Sequence, residues 1–338
     1  GLISRAEALR YIHTPKNKKL AEKAKERLKF EELFFLQLQI LKIKNKRLSS
    51  FPGYIFRKKA LLTDFYKKHI PFSLTGAQKK VIKECYGDMS TGNQMNRLVQ
   101  GDVGSGKTIV AFMCMLFAIE EETQIAFMAP TEVLAYQHYK SLKKYGEKLQ
   151  ISISILTGST KNKDRKVLLD QLKNGKINVL IGTHALIEKA VVFNELGLVV
   201  IDEQHKFGVA QRAKLWSKKK QYYPHVLVMT ATPIPRTLAL TLYGDLDVSV
   251  IDELPLGRKE IITSHRNDNS RLKVFSFLSK TIDKGQQVYI VYPLIDESET
   301  KDYKDLMDGY KSLERYFPDT QIGILHGRMK PENKDYEM

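Results

Sequence analysis

Apolar positions in the first part of the chain recur at helical spacing. Between residues 16 and 48 they fall at Leu20, Ala24 and Leu28, then at Leu33, Phe34, Leu36, Leu38, Ile40 and Leu41, with lysines interleaved. The spacing predicts one long helix or two stacked ones, carrying an apolar stripe that must pack on something. The run SerSerPheProGly at 49–53 breaks the pattern, and a shorter helical piece follows to His69. From Phe72 the texture changes to short β-branched runs, at 97–100, 125–129, 151–156, 178–182, 198–201 and 226–229, alternating with helical segments. Strands that are continuously apolar and separated by helices predict a parallel sheet covered on both faces. The longest apolar helical patch, near 109–119, reads as amphipathic.

A charged connector containing Pro and Gly, at 252–259, closes this unit. Beyond it the alternation restarts, with strands expected at 261–264, 288–292 and 322–326 and helices at 270–283 and around 303–316. Three parts follow from this: a basic helical segment at 1–70, an α/β unit at 71–258 and a second, incomplete unit at 259–338. The chain opens on helical sequence without an initiator Met and stops inside what reads as a new helix, which suggests a piece of a longer protein.

Composition narrows the class. In 338 residues, 43% are apolar and 28% charged, ordinary values for a globular protein that buries a real core without staples. No apolar run approaches the ~20 residues that span a bilayer, and the first residues lack a basic-then-apolar signal. The two cysteines, Cys85 and Cys114, make neither a disulfide framework nor a CxxC pair, so a cytoplasmic location is expected. The net charge of +17 is lopsided: residues 1–70 hold 18 Lys/Arg against 6 Asp/Glu, leaving +12 there and +5 in the other 268. Such a basic segment suits an anionic partner, most often nucleic acid, or is simply a solvated lysine-rich helix.

The chemistry concentrates in a few runs. GlyAspValGlySerGlyLysThr at 101–108 fits G-x-x-x-x-G-K-[ST], after a strand and opening a helix. Gly104 and Gly106 let the backbone curl so that its N–H groups meet phosphate oxygens, with Ser105 between them, and the following helix aims its positive end at the same anion. Lys107 would reach the β/γ-phosphates and Thr108 would offer its hydroxyl to Mg²⁺. A second acidic element, LeuValValIleAspGluGlnHis at 198–205, ends a buried strand in two carboxylates. Asp202 would hold Mg²⁺ through water and Glu203 would orient and deprotonate the attacking water, a hydrolytic nucleotide site. The NKxD and DxxG elements of guanine-specific proteins are not found. Gln78 offers an amide that suits an adenine edge and Phe72 a ring to stack on it. Equally, Thr75 caps a helix there and Gln78 is a surface residue. His138, His184, His205 and His326 are scattered, without the spacings of a zinc site.

The order of these motifs resembles that of the superfamily-two helicases, and within them the bacterial helicases of branched DNA. The similarity runs through PheSerLeuThrGlyAlaGln (72–78), the phosphate loop, MetAlaProThrGluValLeuAla (128–135), GlyThrHisAla (182–185), AspGluGlnHisLysPheGlyValAlaGlnArg (202–212), MetThrAlaThrProIleProArgThrLeuAla (229–239), AspGluLeuProLeuGlyArg (252–258) and LeuHisGlyArgMetLysPro (325–331). Those helicases usually show Arg where this chain has Lys206, which keeps the charge but lacks the fork for a bidentate contact. The resemblance implies an α/β fold: a RecA-like, ATP-binding P-loop lobe at 71–258, preceded at 1–70 by a helical linker from a wedge domain and followed at 259–338 by the start of a second RecA-like lobe. It implies ATP and Mg²⁺, with Gln78 and Phe72 at adenine. Pro130, Thr131, Gly182 and Thr183 would line the DNA track. Thr230, Ala231 and Thr232, with His205 and Arg236, would couple nucleotide state to DNA. It places the wedge before Gly1 and an arginine-finger element after Met338.

The expected partner is branched double-stranded DNA, with a single-stranded DNA-binding protein as a further one, and the expected state is a monomer at the nucleoid. Two other readings stand beside this. A transcription-repair coupling translocase typically has Asp-Glu-Glu-Gln where this chain has Asp202-Glu203-Gln204-His205. A non-motor basic DNA-binding protein with a relic nucleotide site would not need Lys107, Thr108, Asp202 and Glu203 intact.

Overall fold

The computed structural model describes residues 1–203, 222–232, 246–253, 261–292 and 299–326, with Met329, Asn333, Tyr336 and Glu337 beyond them. Its centre is a seven-stranded parallel sheet in the order β3-β4-β2-β5-β6-β1-β7. The strands are β1 Asn96–Gly101, β2 Gln124–Met128, β3 Ile153–Leu156, β4 Val179–Gly182, β5 Leu196–Asp202, β6 His225–Thr230 and β7 Asp247–Ile251. The apolar pattern predicts six of them; β7 escapes it, because its run AspValSerValIle is half polar and sits at the sheet edge beside β1. Alternate side chains leave opposite faces, so Ile125 and Phe127 join one apolar cluster while Ala126 and Met128 join the other. In a parallel sheet all carboxyl ends lie along one edge, and the loops after β1, β2, β4, β5 and β6 therefore meet there.

Helices cover the sheet: α4 Gly76–Met89, α5 Lys107–Glu120, α6 Glu132–Lys148 and α7 Asn162–Lys173. Helix α5 corrects one expectation. Ten consecutive residues, from Ile109 to Ala118, are buried, so the helix is not amphipathic but enclosed. It is enclosed because α3 (Ala60–Lys68) and α4 cover the side that the sheet leaves free.

The basic segment is a second correction. It opens with α1 Arg5–His13 and the 33-residue α2 Lys18–Ser50, a single long helix. These pack on each other around Ala8 and Ala24, and Arg5 and Arg27 both pair with Glu31. The stretch from Phe51 onward is not a separate linker. Phe56 and Phe65 are completely buried in the core of the sheet unit, where the Phe65 ring meets Phe112 and Tyr145. Glu120 accepts from the backbone N–H groups of Ala60 and Leu61, capping α3 from the end of α5. Residues Gly1–Arg258 accordingly form one compact unit. The α2 stripe that should pack stays partly open, with Phe30, Leu33, Phe34 and Phe35 about half exposed.

Residues Lys259–Met338 form a second unit. Its helices, α8 Arg271–Ile282 and α9 Glu299–Tyr316, meet through Phe275 and Leu313 beside Phe317. The strands expected at 261–264, 288–292 and 322–326 do not form; among the described residues these segments run without a hydrogen-bonded ladder. Their apolar residues satisfy the pattern, but a strand exists only through a paired neighbour, and Ile262 and Val291 remain largely exposed.

Candidate active site

Strand β1 delivers the chain into the loop at 101–108. Gly104 and Gly106 adopt φ of 78° and 86°, in the left-handed region where a side chain is strained. Gly106 also has no room: a Cβ there would stand 2.3 Å from the Gln78 amide nitrogen. It is the N-cap of α5 and supplies no side-chain hydrogen bond, so the positive end of a 14-residue helix faces the loop without an internal anion. The Ser105 hydroxyl is buried and has no hydrogen-bond partner among the described residues. Lys107 folds back, its Nζ donating to the carbonyls of Gly101 at 2.8 Å and Asp102 at 2.9 Å. Burial pushes the Lys107 pKa below its ordinary value, against the opposing pull of Asp202, Glu203 and Asp102.

The element before the loop does two things. Thr75 and Gln78 form a capping box on α4: Gln78 N–H donates to Thr75 Oγ1 at 3.2 Å, and Thr75 N–H to Gln78 Oε1 at 2.9 Å. Gln78 is buried rather than a surface residue, and its Nε2 donates to the Ser105 carbonyl at 2.8 Å. The amide therefore fixes the phosphate loop as well as the helix. Phe72, six residues earlier, is half exposed. Glu253, just past β7, accepts from the Ala77 N–H at 3.1 Å and ties the connector to the same helix end.

Strand β5 is buried throughout and ends in Asp202, two strands from β1 across β6. Asp202 Oδ2 lies 2.8 Å from His138 Nε2. Glu203 sits at φ 50°, a conformation that costs a non-glycine residue about 1–2 kcal/mol. Its carboxylate accepts from Thr230 Oγ1 at 3.4 Å and from Ala231 N–H at 3.3 Å, and Thr230 and Thr232 share a hydrogen bond of 2.9 Å. The strand-end acid and the hydroxyl run after β6 are thus one connected group.

Pro130 and Thr131 follow β2, with Thr131 capping α6 by accepting from Leu134 N–H. Gly182 ends β4, and a Cβ there would strike the Leu156 carbonyl at 2.1 Å, so packing against β3 alone requires glycine. Thr183 is buried, while Thr131 is exposed. His205 and Arg236 lie outside the described residues. The residue that sequence reasoning passes over is His138. Its only signal is position: seven residues after Thr131 it returns to the same face of α6.

The site suits a nucleotide with a hard cation. Among the described residues, an unpartnered buried hydroxyl, a helix end without a side-chain cap and a lysine bonded only to carbonyls surround the loop. The Thr108 hydroxyl and the Asp202 carboxylate are all-oxygen donors of the kind that Mg²⁺ takes.

The DEAD/DEAH box helicase family matches residues 75–241. The ATP-dependent DNA helicase RecG of Synechocystis sp. is 47% identical over 335 residues, 99% of this chain and 40% of that protein. RecG of Streptococcus pneumoniae is 43% identical over 338 residues, all of this chain and 50% of that protein. A structure of RecG bound to a three-way DNA junction superposes with a TM-score of 0.80 at 41% identity, covering 97% of this chain and 43% of that one. The chain spans about half or less of the length of these relatives. Over nearly its whole length, then, this chain is similar in sequence and fold to the RecG helicases.

Proposed function

We propose that this chain is the ATP-driven motor segment of a DNA helicase and double-strand translocase that remodels branched DNA, such as stalled forks and Holliday junctions, in recombination and repair. The observation that carries this reading is the hydrogen-bonded group at the sheet edge, in which Glu203 holds Thr230 and Ala231 beside the phosphate loop. A carboxylate that activates water at the γ-phosphate and is also bonded to the next strand end gives nucleotide chemistry a mechanical outlet.

In this reading the backbone of Gly104, Ser105 and Gly106 cradles the phosphates and Lys107 leaves its two carbonyls to meet the β- and γ-oxygens. Thr108 and Asp202 hold Mg²⁺, which when bound neutralises phosphate charge as it develops. Glu203 takes the proton of the attacking water. Gln78 and Phe72 address adenine, Gln78 from its place on the loop carbonyl. Pro130, Thr131, Gly182 and Thr183 line the DNA track. Thr230, Ala231 and Thr232, with His205 and Arg236, transmit the nucleotide state. The partner is branched duplex DNA, as the junction-bound relative suggests, with a single-stranded DNA-binding protein as a further partner of a monomer at the cytoplasmic nucleoid. Among the described residues no helix is long and apolar enough to cross a membrane.

The test is steady-state ATP hydrolysis without DNA, with linear duplex and with a model fork. A fork should stimulate turnover, Lys107→Ala should lower it by on the order of a hundred- to a thousandfold, and Glu203→Gln should bind ATP without turning it over. Equal and measurable rates for the parent chain and Lys107→Ala reject the motor reading.

A further inference from the structure

Helix α6 turns Ala135, Leu142 and Gly146 into the core. His138 lies on that same stripe, three residues after Ala135 and four before Leu142, where an apolar side chain is the expected choice. A polar ring in such a place needs a polar partner, and it has one: Nε2 is 2.8 Å from Asp202 Oδ2, and both side chains are only 12% exposed. The carboxylate only accepts, so at this distance Nε2 carries the hydrogen and donates it. The ring is also clamped by Phe127, with centroids 4.7 Å apart, so its plane and donor direction are set by packing.

We propose that His138 is a positioning residue for the carboxylate that receives Mg²⁺, holding Asp202 Oδ2 so that the other oxygen faces the phosphate loop. This rests on the reading of Asp202 as the metal carboxylate. Without His138, the Asp202 side chain has a competing partner of opposite charge close by. Lys107, whose charge Asp202 favours, would draw the carboxylate onto its own ammonium and away from the place a cation shares with Thr108. A fixed donor behind a ligating carboxylate prevents that collapse, as outer-shell partners do at other metal sites. The donor comes from α6, a different element from the strand it orients, so the strand end alone does not determine the direction of Asp202.

The experiment titrates Mg²⁺ against binding of a fluorescent ATP analogue to the chain, alongside the same measurement in EDTA. His138→Phe keeps a ring against Phe127 but removes the donor. It should raise the half-saturating Mg²⁺ concentration about ten- to a hundredfold and leave the EDTA affinity at the parent value. His138→Gln restores an N–H at similar reach and should recover most of the loss. A His138→Phe titration that coincides with the parent overturns the inference. If dichroism shows that this variant does not fold, the Gln and Asn variants decide: Gln should keep the parent midpoint, and Asn, whose amide falls short of Asp202, should shift it. Equal midpoints for that pair overturn the inference. Asp202→Asn separates the underlying reading, because an unchanged Mg²⁺ midpoint in that variant removes Asp202 from the metal site irrespective of His138.

Discussion

His225 shows what a single buried ring does in this fold. Its Nδ1 accepts from the Met95 N–H at 2.9 Å and its Nε2–H donates to the Tyr54 carbonyl at 3.0 Å, joining β6, the entry to β1 and the segment before α3. A backbone N–H only donates and a carbonyl only accepts, so one neutral tautomer is fixed and a second proton has no place. Complete burial lowers the pKa from 6.5 to about 4. In the folded state the ring binds a proton less readily than in the unfolded chain. Stability from this group is therefore complete above pH 6.5 and is lost as pH falls toward 4, by about 3 kcal/mol at the limit. Denaturant unfolding between pH 7 and 4.5 should show this slope in the parent and not in His225→Gln; parallel curves would mean that the ring is not held neutral. Neither this histidine nor His138 is readable from sequence, since each is defined by partners more than 60 residues away. The phosphate loop is readable, because its glycine conformations and helix end are local properties of eight consecutive residues.

At the scale of elements, legibility follows burial. Strands β5 and β6 are buried at every position and declare themselves as unbroken apolar runs. Edge strand β7 does not, since only Ser249 and Ile251 of its five residues are buried. Side chains help to hold it: Arg97 on β1 donates to Ser249 Oγ at 2.7 Å and reaches Asp88 at 2.8 Å and Glu84 at 3.2 Å on α4. Arg97 thus pins both the edge strand and the helix that carries Gln78. Replacing it leaves two neighbouring carboxylates without their cation. Because these are about a third exposed, the cost lies well below that of a fully buried pair. Arg97→Met should destabilise the sheet unit by about 1–2 kcal/mol, and adding Glu84→Gln should return part of it. No loss on denaturant unfolding would show that the β1–β7 ladder suffices by itself. The second unit teaches the converse, since β-favouring runs at 288–292 and 322–326 are legible as patterns but form no ladder.

At the scale of the molecule the uneven charge is the feature that the fold leaves to be explained. Residues 51–70 bury Phe56 and Phe65 but leave Arg57, Lys58, Lys59, Lys67 and Lys68 exposed, and the larger share of the charge lies before them, with 13 Lys/Arg against 5 Asp/Glu in residues 1–50. Lys16, Lys18, Lys19, Lys23 and Lys25 are all exposed at or just before the start of α2, and their side chains are distant in sequence from every residue of the nucleotide site. Such a row either faces DNA phosphates or is only solvated, and salt distinguishes the two. Each phosphate that a lysine neutralises releases condensed counterions, so the slope of log affinity against log salt steepens by about 0.9 per neutralised phosphate on duplex DNA. Changing these five lysines to glutamine should flatten the slope for duplex or fork binding by about 0.9 for each phosphate left without its lysine, up to about 4.5 in all. ATP hydrolysis without DNA should stay at the parent rate, because none of the five touches the phosphate loop. Parallel salt plots for parent and variant would mean that α2 serves the fold alone, and that the DNA affinity resides in the loops at the carboxyl edge of the sheet.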